Sequence, residues 1–513
     1  MAASIITVPT GREQQPPASA QKLKLRSAGV AGVFYPADPA ELTAMMDKML
    51  LQAAVPEIDG EILAMVAPHA GYQYSGPVAA YAYALLKGRR YARVVVIAPS
   101  HYEAFNFTSV YDDDGYATPL GTVLIDKPFS HELAKLNPSI QLSDRGHKPT
   151  RRGVEHAIEV QLPWLQHVLG DFLLVPIVMG DQSYQSSRAL GVALEKLIGE
   201  GHSRKEHAPG QAAGETLIVA SSDLSHYHTY PDAEKIDHKT LSALQAWDYW
   251  SMSQNFDSRV WEACGGGPII AAAIAAERMG ANRAQVLDYA NTGDVTGDRT
   301  QVVGYSADAF VKLHEKELAE QSFSLDEKEK EGLLILAHKS VERAVVSHKL
   351  YEAAATGDDA LDQERGAFVT LREEGKLRGC IGYTSAVKPL YETVRDTAAL
   401  AAVHDPRFRP VAADELPALE FSISVLSPLQ HVLNVADIEV GRHGLLVKNG
   451  EHEGLLLPQV AVEQHWDRNR FLQETCRKAG LSPDCWKDSG TDIFRFTAVE
   501  FGEPVKRHSN EQQ

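Results

Sequence analysis

The chain is short of cysteine, with four in 513 residues: Cys264, Cys380, Cys476 and Cys485. So few exclude a disulfide-stapled secreted scaffold, and a reducing cytoplasm is the expected compartment. Long apolar runs are also missing. None approaches the roughly 18 residues that cross a bilayer, so no membrane segment is expected. Met1 to Lys22 has Pro, Gln and Ala but no basic start followed by an apolar core. Residues 1–25 therefore read as a disordered tail rather than a signal peptide. Positive charge is in deficit, with 50 Lys and Arg against 68 Asp and Glu and a net charge of −18. That balance excludes a general nucleic-acid-binding face. No fixed-period repeat is present. Gly265-Gly266-Gly267 lacks the Lys-Ser/Thr of a Walker loop and the dinucleotide fingerprint, so phosphate binding there has little support.

What is present is the composition of a soluble globular protein, 44% apolar and 23% charged, in a chain long enough for two or more domains. Three short apolar runs share one design. Leu63 to Ala67 stops at Pro68, with His69 just beyond. Val94 to Ala98 stops at Pro99, followed by Ser100-His101-Tyr102. Leu217 to Ala220 runs into Ser221-Ser222-Asp223, with His226 and Tyr227 close behind. Runs apolar on both faces read as buried parallel strands. Ligands bind beyond the carboxyl edge of such sheets, and each run delivers an imidazole there. Three histidines converging at one edge point to a transition metal.

Helices are expected at 40–54, at 75–86 with Ser75 as cap, at 155–166, at 233–250 and at 269–279. Strands are expected at 172–179, 285–289 and 302–309. Residues 104–150 read as irregular, 202–214 as a polar insertion, and 293–298 as a turn-rich loop. The βα alternation predicts a doubly wound or related three-layer α/β domain over 26–312. A charged linker follows at 313–322, and Ser324 to Glu327 carries a capping-box pattern. Alternating strands after Gly366 predict a second, α+β domain over 323–508.

His69 and His101 are the candidate imidazole ligands. Cys264 is a third, since it precedes three glycines and a proline at a helix start, where N–H groups and the dipole favour a thiolate. Two imidazoles with one anionic group and open positions are the pattern of a reactive Fe(II) site. A thiolate is softer, which keeps Cu and Zn as alternatives. Asp223 is spaced to orient His226 as general acid/base. Glu155 and His156, early in their helix, can face the same edge. In the second domain, Leu377-Arg378-Gly379-Cys380-Ile381-Gly382 marks Cys380 as a candidate reactive thiol, with Arg378 as stabiliser and His404 as candidate base. Cys476 and Cys485 lack CxxC spacing and read as structural.

These motifs bring known families into view. Val30-Ala-Gly-Val-Phe-Tyr-Pro36, Ala67-Pro-His-Ala-Gly-Tyr-Gln-Tyr-Ser-Gly-Pro77, Glu155-His-Ala-Ile-Glu-Val-Gln-Leu-Pro163, Ser221-Ser-Asp-Leu-Ser-His-Tyr227 and Cys264-Gly-Gly-Gly-Pro268 together resemble the MEMO family. Residues 323–507 resemble the AMMECR1 family through Leu377 to Gly382, Asp405-Pro-Arg-Phe408 and Gly454 to Gln459. The fused order is similar to the AmmeMemoRadiSam proteins, which travel with a radical-SAM enzyme. The resemblance implies a class III extradiol dioxygenase-like fold, in which two His and one Glu hold Fe(II) and another His is the acid/base. His69 and His101 then match the imidazole ligands, Cys264 stands in place of the carboxylate, and His226 matches the acid/base. It also implies iron or copper binding through this His/His/Cys set, with phosphotyrosine-peptide binding in animal members. Cysteine for glutamate sets ring cleavage itself apart from metal binding. Two functions are thus expected: a dioxygenase-like Fe(II) redox protein acting with a radical-SAM partner on a small molecule, or a non-catalytic module holding a metal or peptide.

Overall fold

The computed structural model describes residues 23–56, 58, 60–203, 216–313, 324–354, 357–358, 360–384, 388–427, 429–432, 434–488 and 490–503. Most of the expected tail, the polar insertion and the linker lie outside these. The first half begins with β1 (Leu25–Arg26), α1 (Pro39–Gln52), β2 (Gly60–Ala67), α2 (Tyr72–Ala84), β3 (Arg93–Pro99), β4 (Thr108–Val110), β5 (Gly115–Thr118), β6 (Gly121–Leu124), α3 (Lys127–Leu136) and β7 (Ile140–Leu142). It continues through α4 (Leu162–Leu169), β8 (Leu173–Met179), α5 (Tyr184–Ser203), β9 (Thr216–Ser221), β10 (His226–His228), α6 (Tyr230–Gln245), α7 (Tyr249–Asp257), α8 (Gly266–Arg278), β11 (Arg283–Asn291), α9 (Thr292–Thr296) and β12 (Val302–Leu313).

Nine strands form one sheet in the order β10-β12-β2-β9-β3-β8-β4-β7, with β11 also on β12. The four central strands, β2, β9, β3 and β8, are parallel. Beyond them β12 runs antiparallel to β2 and β4 antiparallel to β8, while β7 runs parallel to β4. Successive residues of β3 point to opposite faces, and both faces are covered. Val94, Val96 and Ala98 pack with Leu42, Met46, Tyr83 and Trp164 of the helices on one side. Val95 and Ile97 pack with Leu190, Ile270 and Ile274 of α5 and α8 on the other. Each such fully buried aliphatic side chain contributes about 1.5–3 kcal/mol. The edge that carries the histidines therefore belongs to the most firmly held part of the molecule.

Several local expectations are corrected. The helix placed at 75 starts at Tyr72 with Gly71 as cap, and Ser75 lies inside it, donating to the Ala70 carbonyl. Residues 104–150 are not irregular: they hold four short strands and α3, whose Asp126 caps it by accepting from Phe129 N. Strands of three or four residues leave too few alternations to read. The helix expected from 155 is delayed to a 3-10 turn, Glu159–Gln161, and then α4. The helix at 233–250 is two, α6 and α7, separated at Trp247, whose φ is 56°. The turn at 293 is a short helix with an Asn291/Asp294 capping box. Leu25, the last residue of the expected tail, pairs with Gly115, and Arg26, the first of the expected domain, with Tyr116.

The second half is α+β. A helix over Glu327–Ser347 opens on a capping box made by Asp326 and Glu329, two residues later than the Ser324/Glu327 expectation. Then come β13 (Ala367–Glu373), β14 (Lys376–Tyr383), a helix over Leu390–Val403, β15 (Leu419–Leu426), β16 (Gln430–His431), β17 (Gly444–Asn449), β18 (His452–Leu456), β19 (Asp492–Phe496) and β20 (Ala498–Gly502). They make two antiparallel sheets, β14-β13-β15-β20 and β16-β19-β17-β18. Ala367, Val369 and Leu371 of β13 pack with Val394, Ala398 and Ala401 of the second helix. Cys476 and Cys485 form a disulfide, a pairing that the expectation of a reducing compartment did not anticipate.

The halves meet across an ionic seam. Asp492 accepts from Arg188 Nε at 3.1 Å and Nη2 at 3.0 Å, and from Arg278 Nη1 at 3.3 Å. His431 lies 3.3 Å from the same carboxylate. Burial opposes this charge, but His431 and Arg188 outweigh it and hold Asp492 at about 2.

Candidate metal centre

β2 ends at Ala67 and β3 at Pro99 because proline has no N–H to continue a ladder. The register pairs Ala67 with Ser221 and Ile97 with Ala220, so β2, β3 and β9 finish together. His69, His101 and the segment 222–226 leave from that common edge. They line one cleft of about 510 Å³ with His156, Asp223 and a wall of Phe34, Tyr74, Tyr227 and Tyr305. The His69 and His101 ring centroids are 5.1 Å apart.

The hydrogen bonds fix how three of the imidazoles present themselves. Ser221 Oγ donates its single proton to the Ala157 carbonyl at 2.6 Å and accepts from Gln161 Nε2 at 2.7 Å. A hydroxyl has one proton to give, so the 2.9 Å contact with His69 Nδ1 has the ring nitrogen as donor. The lone pair of His69 is thereby on Nε2. Gln161 is itself fixed by Tyr83 Oη, which donates to its Oε1 at 2.5 Å. His101 Nδ1 donates to Glu155 Oε1 at 2.9 Å, and its backbone N to Oε2 at 2.7 Å. An ionised carboxylate only accepts, so neutral His101 also offers Nε2. His226 Nδ1 donates to the Leu224 carbonyl at 2.8 Å, leaving Nε2 as a proton acceptor. Partners of this kind set the tautomer and aim of metal-binding imidazoles.

Cys264 Sγ lies 3.1 Å from His69 Nε2 and accepts from Asp223 N at 3.2 Å. Among the described residues, two sets have donor atoms all within 4.8 Å of one another: His69/His101/His156 and His69/Asp223/Cys264. They share His69. The expected trio of His69, His101 and Cys264 thus spans both sets rather than forming one by itself. His156 stacks on His101 at 5.0 Å and 11° and meets His69 edge-on at 5.6 Å. Its Nδ1 is buried with no hydrogen-bond partner.

The electrostatics favour neutral His69 and His156 but the protonated form of His101. Burial, then the charge of His101, pushes His69 well below the usual imidazole value. Burial and His69 bring His156 to about 4. Burial also raises Asp223 and, with Asp223 beside it, raises the Cys264 thiol. Glu155 is the exception. Burial would raise it, but His101 and the backbone donors around it draw it down to about 2. In turn Glu155 outweighs burial at His101 and raises that ring. A neutral His69 lone pair, a His101 Nε2 from which a cation must displace a proton, and a thiol that needs a positive charge to ionise fit a borderline-soft divalent ion.

Four expectations about individual roles are corrected. Asp223 does not orient His226: its Oδ1 accepts from His69 N at 2.8 Å, while His226 is held by Leu224. The helix start does not by itself make Cys264 a thiolate, because desolvation exceeds the help from Gly265 N–H. Glu155 and His156 precede their helix, and Glu155 binds the backbone N–H groups of His156 and Ala157. Arg378 does not serve Cys380, since it is paired with Glu415 at 2.8 Å. Instead Cys380 N donates to Asp405 at 2.8 Å, Thr370 Oγ1 donates to its sulfur at 3.2 Å, and Arg407 donates to its carbonyl at 2.9 Å. His404 is exposed at a helix end and touches none of these.

Sequence reasoning missed the supports. Glu159, 1% exposed, accepts from Arg26 at 2.8 Å, Gly29 N at 2.9 Å, Val30 N at 2.9 Å and Tyr35 Oη at 2.8 Å. That clamp brings Phe34 against His156, ring centroids 4.6 Å apart. Gln182 accepts from Gly267 N at 2.9 Å and donates to the Cys264 carbonyl at 3.0 Å. Tyr227 sits at φ 61°, an uncommon conformation for an aromatic residue and a mark of local strain beside the cleft.

The same geometry has relatives. The family model described as Memo-like protein matches residues 26–309, over half of the chain, and that described as AMMECR1 matches 334–501. A MEMO1 family protein of Methanopyrus kandleri is 37% identical over 294 residues, covering 56% of this chain and 98% of the relative. One from Aeropyrum pernix is 34% identical over 295 residues, covering 56% and 99%. Among solved structures, an uncharacterized protein from Pyrococcus horikoshii is 41% identical and covers 34% of this chain and 91% of its own, with a TM-score of 0.33. An uncharacterized protein from Escherichia coli K12 is 13% identical, covering 48% and 99%, with a TM-score of 0.31. With one family model matching more than half of its length and a second matching most of the rest, this chain belongs to the Memo-like protein family and carries an AMMECR1 domain in the same polypeptide.

Proposed function

We propose that the Memo-like half, with a class III extradiol dioxygenase-like fold, is an Fe(II)-dependent redox protein that uses His69, His101 and Cys264 as ligands. It acts on a small molecule, alongside a radical-SAM partner, in the cytoplasm. The observation that carries the reading is the pair of imidazoles fixed through Nδ1, which aims both Nε2 atoms at one cleft beside a half-buried thiol. Bound there, the ion supplies Lewis acidity and a one-electron couple. Glu155 and Ser221 aim the ligands. His226 Nε2 takes and returns a proton, and Asp223, whose burial favours its protonated form, is a second proton carrier. His156 and the aromatic wall border the same space. The AMMECR1 half binds the substrate or receives the product, with Cys380 as its reactive group.

Metal analysis of protein purified without oxygen tests this. The parent is expected to hold about one iron per chain, and His69→Ala and His101→Ala to lose it. Undiminished iron in both variants would end the proposal. A second reading, a module that holds a soft ion in transit, draws on the 3.1 Å approach of Cys264 to His69. It predicts that Cu(I) outcompetes Fe(II) and that Cys264→Ser abolishes this preference.

A further inference from the structure

A second cleft, of about 540 Å³, opens where the two halves meet. The first half contributes Tyr184, Arg188 and Lys196 along α5, and Trp250 from α7; the second contributes Asn449 and Gly450. Residues four and eight apart share one helix face, so α5 presents an aromatic ring and two cations in a row. Trp250 stands edge-on to Tyr184, centroids 5.1 Å apart at 87°. Opposite, Gly450 takes φ +59°, a conformation that favours glycine, and its turn packs against the indole: a Cβ there would be in ordinary van der Waals contact with the Trp250 ring, at 3.9 Å.

The polar groups are of one sign. Arg188 is held in place by Asp492 of the other half. Lys196 makes no ion pair among the described residues, and no carboxylate lines the cleft. Asn449 uses its Nδ2 on Thr491 at 2.9 Å, which leaves its carbonyl oxygen as an acceptor. Flat apolar walls with a few directional polar groups at a domain junction are the usual make-up of a small-molecule site.

We propose that this interdomain cleft is a second ligand site, distinct from the histidine cleft, for a planar aromatic molecule carrying one negative charge. The ring lies against Trp250 and Tyr184, and the anionic group faces Lys196.

The full chain labelled with 5-fluorotryptophan provides the test. It has six tryptophans, and Trp250→Phe identifies the resonance in question. Titration with 1-naphthaleneacetate is expected to shift that resonance saturably. Lys196→Glu, on the exposed helix face, is expected to weaken binding at least fivefold, and the neutral 1-naphthaleneacetamide to bind correspondingly less well. His69→Ala is expected to leave the titration unchanged. A Trp250 resonance unmoved at millimolar probe, equal binding by Lys196→Glu, or loss of binding in His69→Ala would each overturn the proposal.

Discussion

Replacing Glu155 by Gln isolates the group that aims His101. The carboxylate accepts four hydrogen bonds, from His101 N at 2.7 Å, His101 Nδ1 at 2.9 Å, His156 N at 2.9 Å and Ala157 N at 3.1 Å. Glutamine offers one accepting oxygen and turns an NH2 toward donors, so at least one buried N–H loses its partner. Holding the acid at about 2 instead of 4.5 corresponds to roughly 3 kcal/mol in favour of the ionised form, at 1.36 kcal/mol per tenfold change. Glu155→Gln should therefore cost about 2–3 kcal/mol in chelator-treated protein, a fall in Tm of roughly 5–10 °C. The folded-state value lies below the unfolded one, so this contribution is complete above about 4.5 and fades as the pH drops toward about 2. The gap between parent and variant should be widest near pH 7, roughly halve by pH 3 and close near pH 2. Metal affinity should fall about 10–100-fold, as for other outer partners of ligating histidines. Denaturant titration at several pH values, with calorimetric Zn(II) or Fe(II) binding, gives both numbers. A stability difference independent of pH, together with unaltered affinity, would refute the argument.

Two further outcomes are expected. Asp492→Asn removes the charge shared by Arg188 and Arg278; the cluster is half-buried, so the cost falls below the about 3–5 kcal/mol of a fully buried pair, and scanning calorimetry should resolve separate transitions for the two halves where the parent shows them together. The Cys476–Cys485 bond predicts that two of the four cysteines resist alkylation in rapidly quenched, denatured lysate. If all four react at once, the bond is absent in the cell and the reducing compartment stands.

The strand ends were legible because each carries its own marker, an apolar run closed by proline or serine with histidine following. Those markers are local, and they correctly brought His69, His101, His226 and Asp223 to one cleft. The supports were not legible because they join distant positions: Glu159 reaches back to Arg26, and Ser221 joins residues at 69, 157 and 161. A buried glutamate, glutamine or serine has no periodic signature; only the coordinates say whose N–H it satisfies. Asp223 was given the wrong imidazole for the same reason, since nearness in sequence to His226 said nothing about His69 N. In the second domain the glycines of Arg378 to Tyr383 signalled close packing and delivered it. A Cβ on Gly379 would meet the Ala401 carbonyl at 2.2 Å, and one on Gly382 the Phe368 ring at 2.2 Å. Neither serves the thiol between them.

The helix α8 begins two residues after Cys264 and ends on Arg278, which reaches Asp492. Thirteen residues at 1.5 Å each make a rod of about 20 Å. Its middle lies so close to α5 that a Cβ on Gly191 would press 2.8 Å from the Ala271 carbonyl. A single buried helix thus joins the turn that carries the sulfur to the salt bridge that carries the second domain, so the two ends share one element.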